Sequence, residues 1–383
     1  VNMIECAKSQ LPILPEMLDR DRWKLNCLNG IVDLKTGLMS PSCQTEYMTR
    51  ATTVNYRLDA KCPRWDAFLS KIFQGNAGLI EYVQKVIGYC LTGSVAERCF
   101  FILHGKGQNG KTTLVETIKH ILSDYAKTAG PETVMKKQGD EGIRNDIARL
   151  QSARLVSVSE TQKGRALDEN SIKLMSGNDR LTARFLHAEF FEFDPQFKIL
   201  LYTNHKPRVS GDDPALWKRM RLIPFDYQIT DAEKIDGFQD ILISEEAEGI
   251  LAWAVEGCLK WQRDGLLNPD EVTRATEEYK GGEDTVGQFL KAACYVDIKN
   301  RNLSIKGSEL LDRFHTWSGS NKLYSRAFYE ILATHNIARD DRRDGIYLIG
   351  VALASDEPAP LLKVDEPDTK SKEEAAMRQA GLI

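Results

Sequence analysis

The chain has 383 residues, a formal net charge of −4 and 42% apolar residues. It is long enough for two or three domains with sizeable cores, and it has no global positive field that would by itself mark a nucleic-acid protein. No stretch approaches the eighteen or so apolar residues of a membrane span and no signal peptide opens it, so the expected setting is the host cell cytoplasm, with no membrane partner. The cysteines at 6, 27, 43, 62, 90, 99, 258 and 294 form no C-x-x-C pair and have no histidine at metal-ligand spacing, which argues against a zinc site and for a reducing compartment. Val1 in place of an initiator Met reads as a processed product or an excised fragment.

Residues 1 to about 60 are irregular apart from a hairpin signal, LNGIVDLKTGLMSP, in which Thr36-Gly37 separates two short apolar runs. From Trp65 to Leu91 the apolar positions recur at helical spacing, with a break at Gly75-Asn76. Residues 1–95 therefore read as a hairpin followed by a small helical collar. Next comes FFILHGKGQNGKTTLVETIKHIL, residues 100–122: an apolar strand, a glycine-rich turn and a helix, in that order. Gly105, Gly110, Lys111 and Thr112 complete the pattern G-x-x-x-x-G-K-[ST]. Glycines let the backbone turn its amides toward phosphate oxygens, Lys111 supplies charge to the β- and γ-phosphates, Thr112 offers a hydroxyl to magnesium, and the helix directs its positive end at the anion. The expected nucleotide site is Gly105, Lys106, Gly107, Gln108, Asn109, Gly110, Lys111, Thr112 and Thr113, with ATP and Mg2+ as cofactors.

Strand-length apolar runs at Phe100–Leu103, Leu155–Val158, Lys198–Thr203 and Arg221–Phe225 are separated by segments long enough for crossovers, which predicts a parallel α/β sheet. ARLVSVSE ends a buried strand on Glu160, the candidate general base and, with Thr112, the candidate magnesium ligand; Ser159 stands where an Asp is usual. KILLYTN ends a further strand on Asn204, whose amide can orient the attacking water without adding charge. ALWKRMRLIPF places Arg219 and Arg221 before and within a strand, where a guanidinium can neutralise charge on the transferring phosphoryl group. Residues 231–280 read as helices and Gly281-Gly282 as a linker. Beyond it, helices at Ser308–Trp317 and Ser325–His335, the second capped by Ser325, are followed by a tight-hairpin signal at Asp344-Gly345: a winged-helix pattern over residues 283–352. Lys322, Arg326, Arg339, Arg342 and Arg343 could meet phosphates there, although Asp340, Asp341 and Asp344 dilute the wing's charge. Residues 353–383 read as a disordered, charged tail.

Taken together, the glycine loop with Asn109, SET at 159–161, KLMSGNDRLTARFLHAEFFEF, YTNHKP and LWKRMRLIPF resemble the superfamily 3 helicases, in particular the phage, plasmid and poxvirus primase-helicase group. The resemblance implies a AAA+ domain over residues 96–282 that assembles as a hexameric ring, holds ATP between subunits and moves along single-stranded or forked DNA during replication. It implies that Lys111 and Thr112 are the Walker A pair, Glu160 the Walker B acid, Asn204 the sensor and Arg219 the finger donated by a neighbouring subunit, with Arg221 in reserve. It also implies that Thr182 to Glu189 is a channel hairpin on which Arg184 and His187 grip DNA. Helicases of this group often follow a primase domain; nothing before residue 100 carries a primase's paired-carboxylate motif, so primase activity is not expected of these residues. Two other readings of the phosphate loop stay open: a kinase of a small substrate, and an ATP-switched origin-binding protein.

Overall fold

The computed structural model describes residues 3, 13–14, 17–136, 145–160, 162–186, 188–209, 213–319 and 323–354. His187, Thr161 and Lys322 lie outside them, as does the expected tail from residue 355 on. The described chain falls into two units, Val1–Tyr279 and Lys280–Ile383.

In the first unit, β1 (Lys24–Cys27), β2 (Gly30–Asp33) and β3 (Leu38–Ser40) form an antiparallel sheet. The hairpin expected at Thr36-Gly37 joins β2 to β3, with Gly37 at φ +74°. Helices α1 (Pro63–Ile72) and α2 (Ala77–Leu91) follow, split where the sequence breaks, because Asn76 caps α2 by accepting from the Leu79 amide at 3.0 Å. Then come β4 (Phe100–His104), α3 (Lys111–Leu122), β5 (Ala126–Ala129), β6 (Leu155–Glu160), α4 (Glu169–Met175), the hairpin β7 (Leu181–Ala183) and β8 (Phe191–Phe193), β9 (Lys198–Thr203), α5 (Pro214–Arg219), β10 (Met220–Pro224) and the long α6 (Phe238–Asp264).

The central sheet runs β10-β4-β9-β6-β5 with every neighbouring pair parallel. Its inner strands β4, β9 and β6 are largely apolar and buried on both faces, as a doubly covered sheet requires. Phe101, Leu103 and Leu200 pack into a core shared with α1, α2, α3 and α6, while Phe100, Ile102, Ile199 and Leu201 pack into a second core with Ile172, Met175 and Leu216. β5 was not expected: AKTA has no apolar run, and it becomes a strand by pairing with β6. The expected division at 95/96 is not a division of the core. Helices α2 and α6 touch backbone to backbone, so that a Cβ on Gly88 would lie 2.1 Å from the Cys258 nitrogen and one on Gly257 2.1 Å from the Gln84 carbonyl oxygen. Each glycine is needed for this approach.

Gly281-Gly282 is not a linker but part of α7 (Asp270–Glu283), because the helical ladder continues to Asp284, whose amide donates to the Lys280 carbonyl at 3.1 Å. The second unit contains α8 (Thr285–Ala293), β11 (Cys294–Val296), β12 (Ser304–Lys306), α9 (Gly307–Ser318), α10 (Ser325–Thr334), β13 (Ala338–Arg342), β14 (Gly345–Ile349) and β15 (Val351–Leu353) around Phe289, Phe314, Trp317, Phe328 and Leu348. Two details differ from expectation. Tyr324, not Ser325, is the residue before α10, and the turn between β13 and β14 is Arg343-Asp344, with Gly345 already paired to Arg342.

Candidate nucleotide site

The loop between β4 and α3 has the backbone its glycines permit: Gly107 at φ +107°, Gly110 at φ +81° and Gln108 at φ +48°. Gly105 has no room for a side chain, since a Cβ would lie 2.3 Å from the Phe225 carbonyl oxygen, and Gly110 sits against Phe68 and Ile72 of α1. Asn109 is buried and donates through Nδ2 to the Phe225 carbonyl at 3.1 Å; the Ile229 amide donates to the Gln108 carbonyl at 2.6 Å. The segment after β10 thus clamps the loop from outside.

Around it lies a cleft of about 340 Å³ at the carboxyl ends of the strands, where open α/β sheets bind ligands. Gly107 to Thr113 line it, with Ser159, Glu160, Tyr202, Thr203 and Asn204 from the ends of β6 and β9 and with Ile229, Thr230, Asp231 and Lys234. Of the expected loop residues, Lys106 is exposed outside this lining, and Gly105 lies behind it, its carbonyl accepting from Lys111.

Lys111 is 4% exposed, and its Nζ donates to the Gly105 carbonyl (2.8 Å), Asn109 Oδ1 (2.8 Å) and Asn204 Oδ1 (3.1 Å). All three acceptors are neutral. Burial pushes the ammonium down to about 8. A buried cation held only by neutral oxygens beside a cradle of backbone amides fits a triphosphate, which would supply the missing negative charge. Among the described residues no three His, Cys, Asp or Glu side chains gather to hold a metal. Magnesium, which keeps several waters and takes few protein ligands, fits Thr112 and Glu160, both on the cleft.

Glu160 is 2% exposed; its Oε1 accepts from the Gln162 amide (2.6 Å) and its Oε2 from Arg165 Nη1 (3.2 Å). The structure does not bring Arg219 to the cleft of its own chain. Among the described residues Arg219 Nη1 reaches only the Ser176 carbonyl, at 3.5 Å, whereas Arg221 donates to the carbonyls of Lys218 and Met220 at 2.7 and 3.0 Å. The β7–β8 hairpin, expected over residues 182–189, spans residues 181–193 and carries exposed Phe185, Leu186 and Phe190, with the Arg184 guanidinium 4.7 Å above the Phe190 ring. On β13, Arg339 pairs with Asp341 and Arg342 with Asp340, both at 2.8 Å, and on α10 Arg326 pairs with Glu330 at 3.1 Å.

Sequence reasoning missed Arg165 and the lining by Ile229, Thr230, Asp231 and Lys234. The available signal for the latter was their position just past a strand of the phosphate-loop sheet.

The parallel five-stranded sheet and glycine loop define a phosphate-loop α/β domain. Residues 1–74 match the family model described as D5 N terminal like, and residues 103–219 one described as a family of unknown function (DUF5906). Over 343 residues, 83% of this chain and 35% of the relative, the sequence is 27% identical to "Putative helicase L207/L206" of Acanthamoeba polyphaga mimivirus. It is 21% identical over 225 residues to "Primase D5" of Fowlpox virus (strain NVSL), covering 55% of this chain and 28% of that one. The chain thus spans about a third of the length of these relatives. A solved structure of the NrS-1 C-terminal region, apo A form, has a similar fold: TM-score 0.52 at 14% identity, covering 77% of this chain and 78% of the other. These matches support the resemblance to the superfamily 3 primase-helicases.

Proposed function

We propose that this chain is an ATP-dependent DNA helicase of a virus, phage, plasmid or integrated element, and that it works in replication as a AAA+ hexameric ring on single-stranded or forked DNA. The observation that carries the reading is the cleft itself. One pocket gathers Lys111, Thr112, Glu160 and Asn204, and among the described residues that line it there is no arginine to meet charge developing on the γ-phosphate; Arg165, just behind it, is paired with Glu160. A neighbouring subunit supplies that group, Arg219, so hydrolysis depends on assembly. Lys111 binds the β- and γ-phosphates, Glu160 takes the proton of the attacking water and Asn204 orients it. Arg184 and His187 on the hairpin meet the DNA, residues before 96 form a collar, and the second unit is a winged helix that contacts DNA or replication proteins such as a primase. The names of the viral relatives support the helicase reading.

Arg219→Ala is expected to keep nucleotide binding and lose about a thousandfold in turnover. Mixed in equal amounts with Lys111→Ala, it recovers activity, because random assembly leaves about a quarter of the interfaces with both groups intact. ATP turnover with and without single-stranded DNA, measured alongside oligomer mass, checks the whole reading. A monomer that hydrolyses ATP at full rate and ignores DNA would end it.

A further inference from the structure

We infer that Arg165 is a positioning residue that restrains Glu160 and ties it to the segment leading into the β7–β8 hairpin; this rests on Glu160 being the general base proposed above. The geometry begins at the end of β6. The chain turns back so that the Gln162 amide reaches Glu160 Oε1, Gly164 at φ +84° redirects it, and Arg165 Nη1 lands on Oε2 at 3.2 Å. With Glu160 2% exposed, both carboxylate oxygens are engaged by their own chain. A charge-assisted bond to a guanidinium is stronger than one to water. The ion pair therefore holds the base back from an attacking water until Arg165 is drawn off.

The backbone also links this ion pair to the hairpin. Beyond Arg165 the backbone is fixed on two sides: the Arg208 amide donates to the Arg165 carbonyl and the Leu167 amide to the Arg208 carbonyl, each at 2.8 Å, while the amides of Lys136 and Asp168 donate to the carbonyls of Ala166 and Val134, also at 2.8 Å. Arg208 lies a few residues past the sensor candidate Asn204. Asp168 then caps α4, accepting from the Ser171 amide at 3.1 Å, and residues 176–180 join α4 to β7. At that junction the Ser176 carbonyl receives Arg219. One short path thus connects the general base, the hairpin and the candidate finger, and Arg165 is its contact with the chemistry.

The test uses the full chain with MgATP, with and without oligothymidylate. Arg165→Ala is expected to raise DNA-free kcat by about tenfold, on the scale of one charge-assisted hydrogen bond, with KM little changed and the ratio of DNA-stimulated to DNA-free turnover falling toward unity. Arg165→Lys restores the low DNA-free rate. Arg165→Gln, which keeps length and polarity without the charge, is read the same way should the alanine variant fail to fold. A folded variant with normal nucleotide affinity whose DNA-free kcat is unchanged or lower overturns the restraint. Indifference of the unmodified protein to DNA counts instead against the helicase reading, and the DNA-free comparison still decides the role of Arg165.

Discussion

The two edges of the central sheet both bury cations, and they use them differently. At the amino edge, Arg154 (3% exposed) donates to the carbonyls of Leu91 (2.7 Å), Lys24 (2.6 Å) and Asp21 (3.4 Å), and lies 4.4 Å over the Tyr125 ring. Beside it Lys198 (1% exposed) donates to the carbonyls of Thr92, Ser94 and Gln196. Leu91 and Thr92 end α2, where carbonyls lack helical partners and the dipole favours positive charge. At the carboxyl edge, two of the three oxygens around Lys111 belong to the side chains of Asn109 and Asn204, and the exposed Asn204 is able to rotate away. Burial lowers the pKa of all three cations. Burial alone therefore does not mark a functional cation. Fixed backbone acceptors make Arg154 and Lys198 structural ties between the N-terminal segment and the sheet, and an exchangeable acceptor leaves Lys111 free to take a ligand.

Substitution at each edge separates the two uses. Lys111→Ala is expected to cut ATP turnover by at least about a hundredfold while the melting temperature stays at or above that of the unmodified protein, since a buried ammonium is removed. Arg154→Ala reverses the pattern. It strands three backbone carbonyls and lowers stability by about 3 kcal/mol, read from urea unfolding, with turnover per folded molecule unchanged. A loss of turnover in Arg154→Ala at full stability would erase the distinction between the edges.

The carboxyl edge was far more legible in the sequence than the amino edge. The loop from Gly105 to Thr113 carries its chemistry in consecutive residues, and Glu160 and Asn204 were found because each follows an apolar strand whose carboxyl end must face the same cleft. Arg154 and Lys198 stand at the beginnings of those strands, and nothing local tells which carbonyls they reach across 63 and 106 residues. β5 escaped for a related reason: AKTA owes its strand form to pairing with β6. Gly281-Gly282 shows the opposite failure, a local breaker signal overridden by a helix already running through it. Arg165 was hidden because its partner lies across a turn that only the folded backbone defines.

The smallest effect, and the finest test of the comparison, is in pH. Burial pushes Lys198 down to about 7 and Lys111 to about 8 from the ordinary 10.5 of a lysine. The unfolded chain therefore binds these protons more tightly than the folded one. The cost of each buried charge is full below the folded value and is relieved as pH rises from there toward 10.5, so each lysine makes stability rise with pH in its window, by at most about 1.4 kcal/mol per unit. Lys198→Met is expected to flatten the unfolding free energy between pH 7 and 10 whether or not nucleotide is present. Lys111 differs because a bound triphosphate restores its charge. Nucleotide binding above pH 8 should then take up close to one proton per site, and affinity should fall by up to about tenfold per pH unit. Titration calorimetry in buffers of different ionisation enthalpy measures that uptake. Uptake that persists in Lys111→Met would assign the proton to another group and remove the ligand-exchangeable character claimed for this edge.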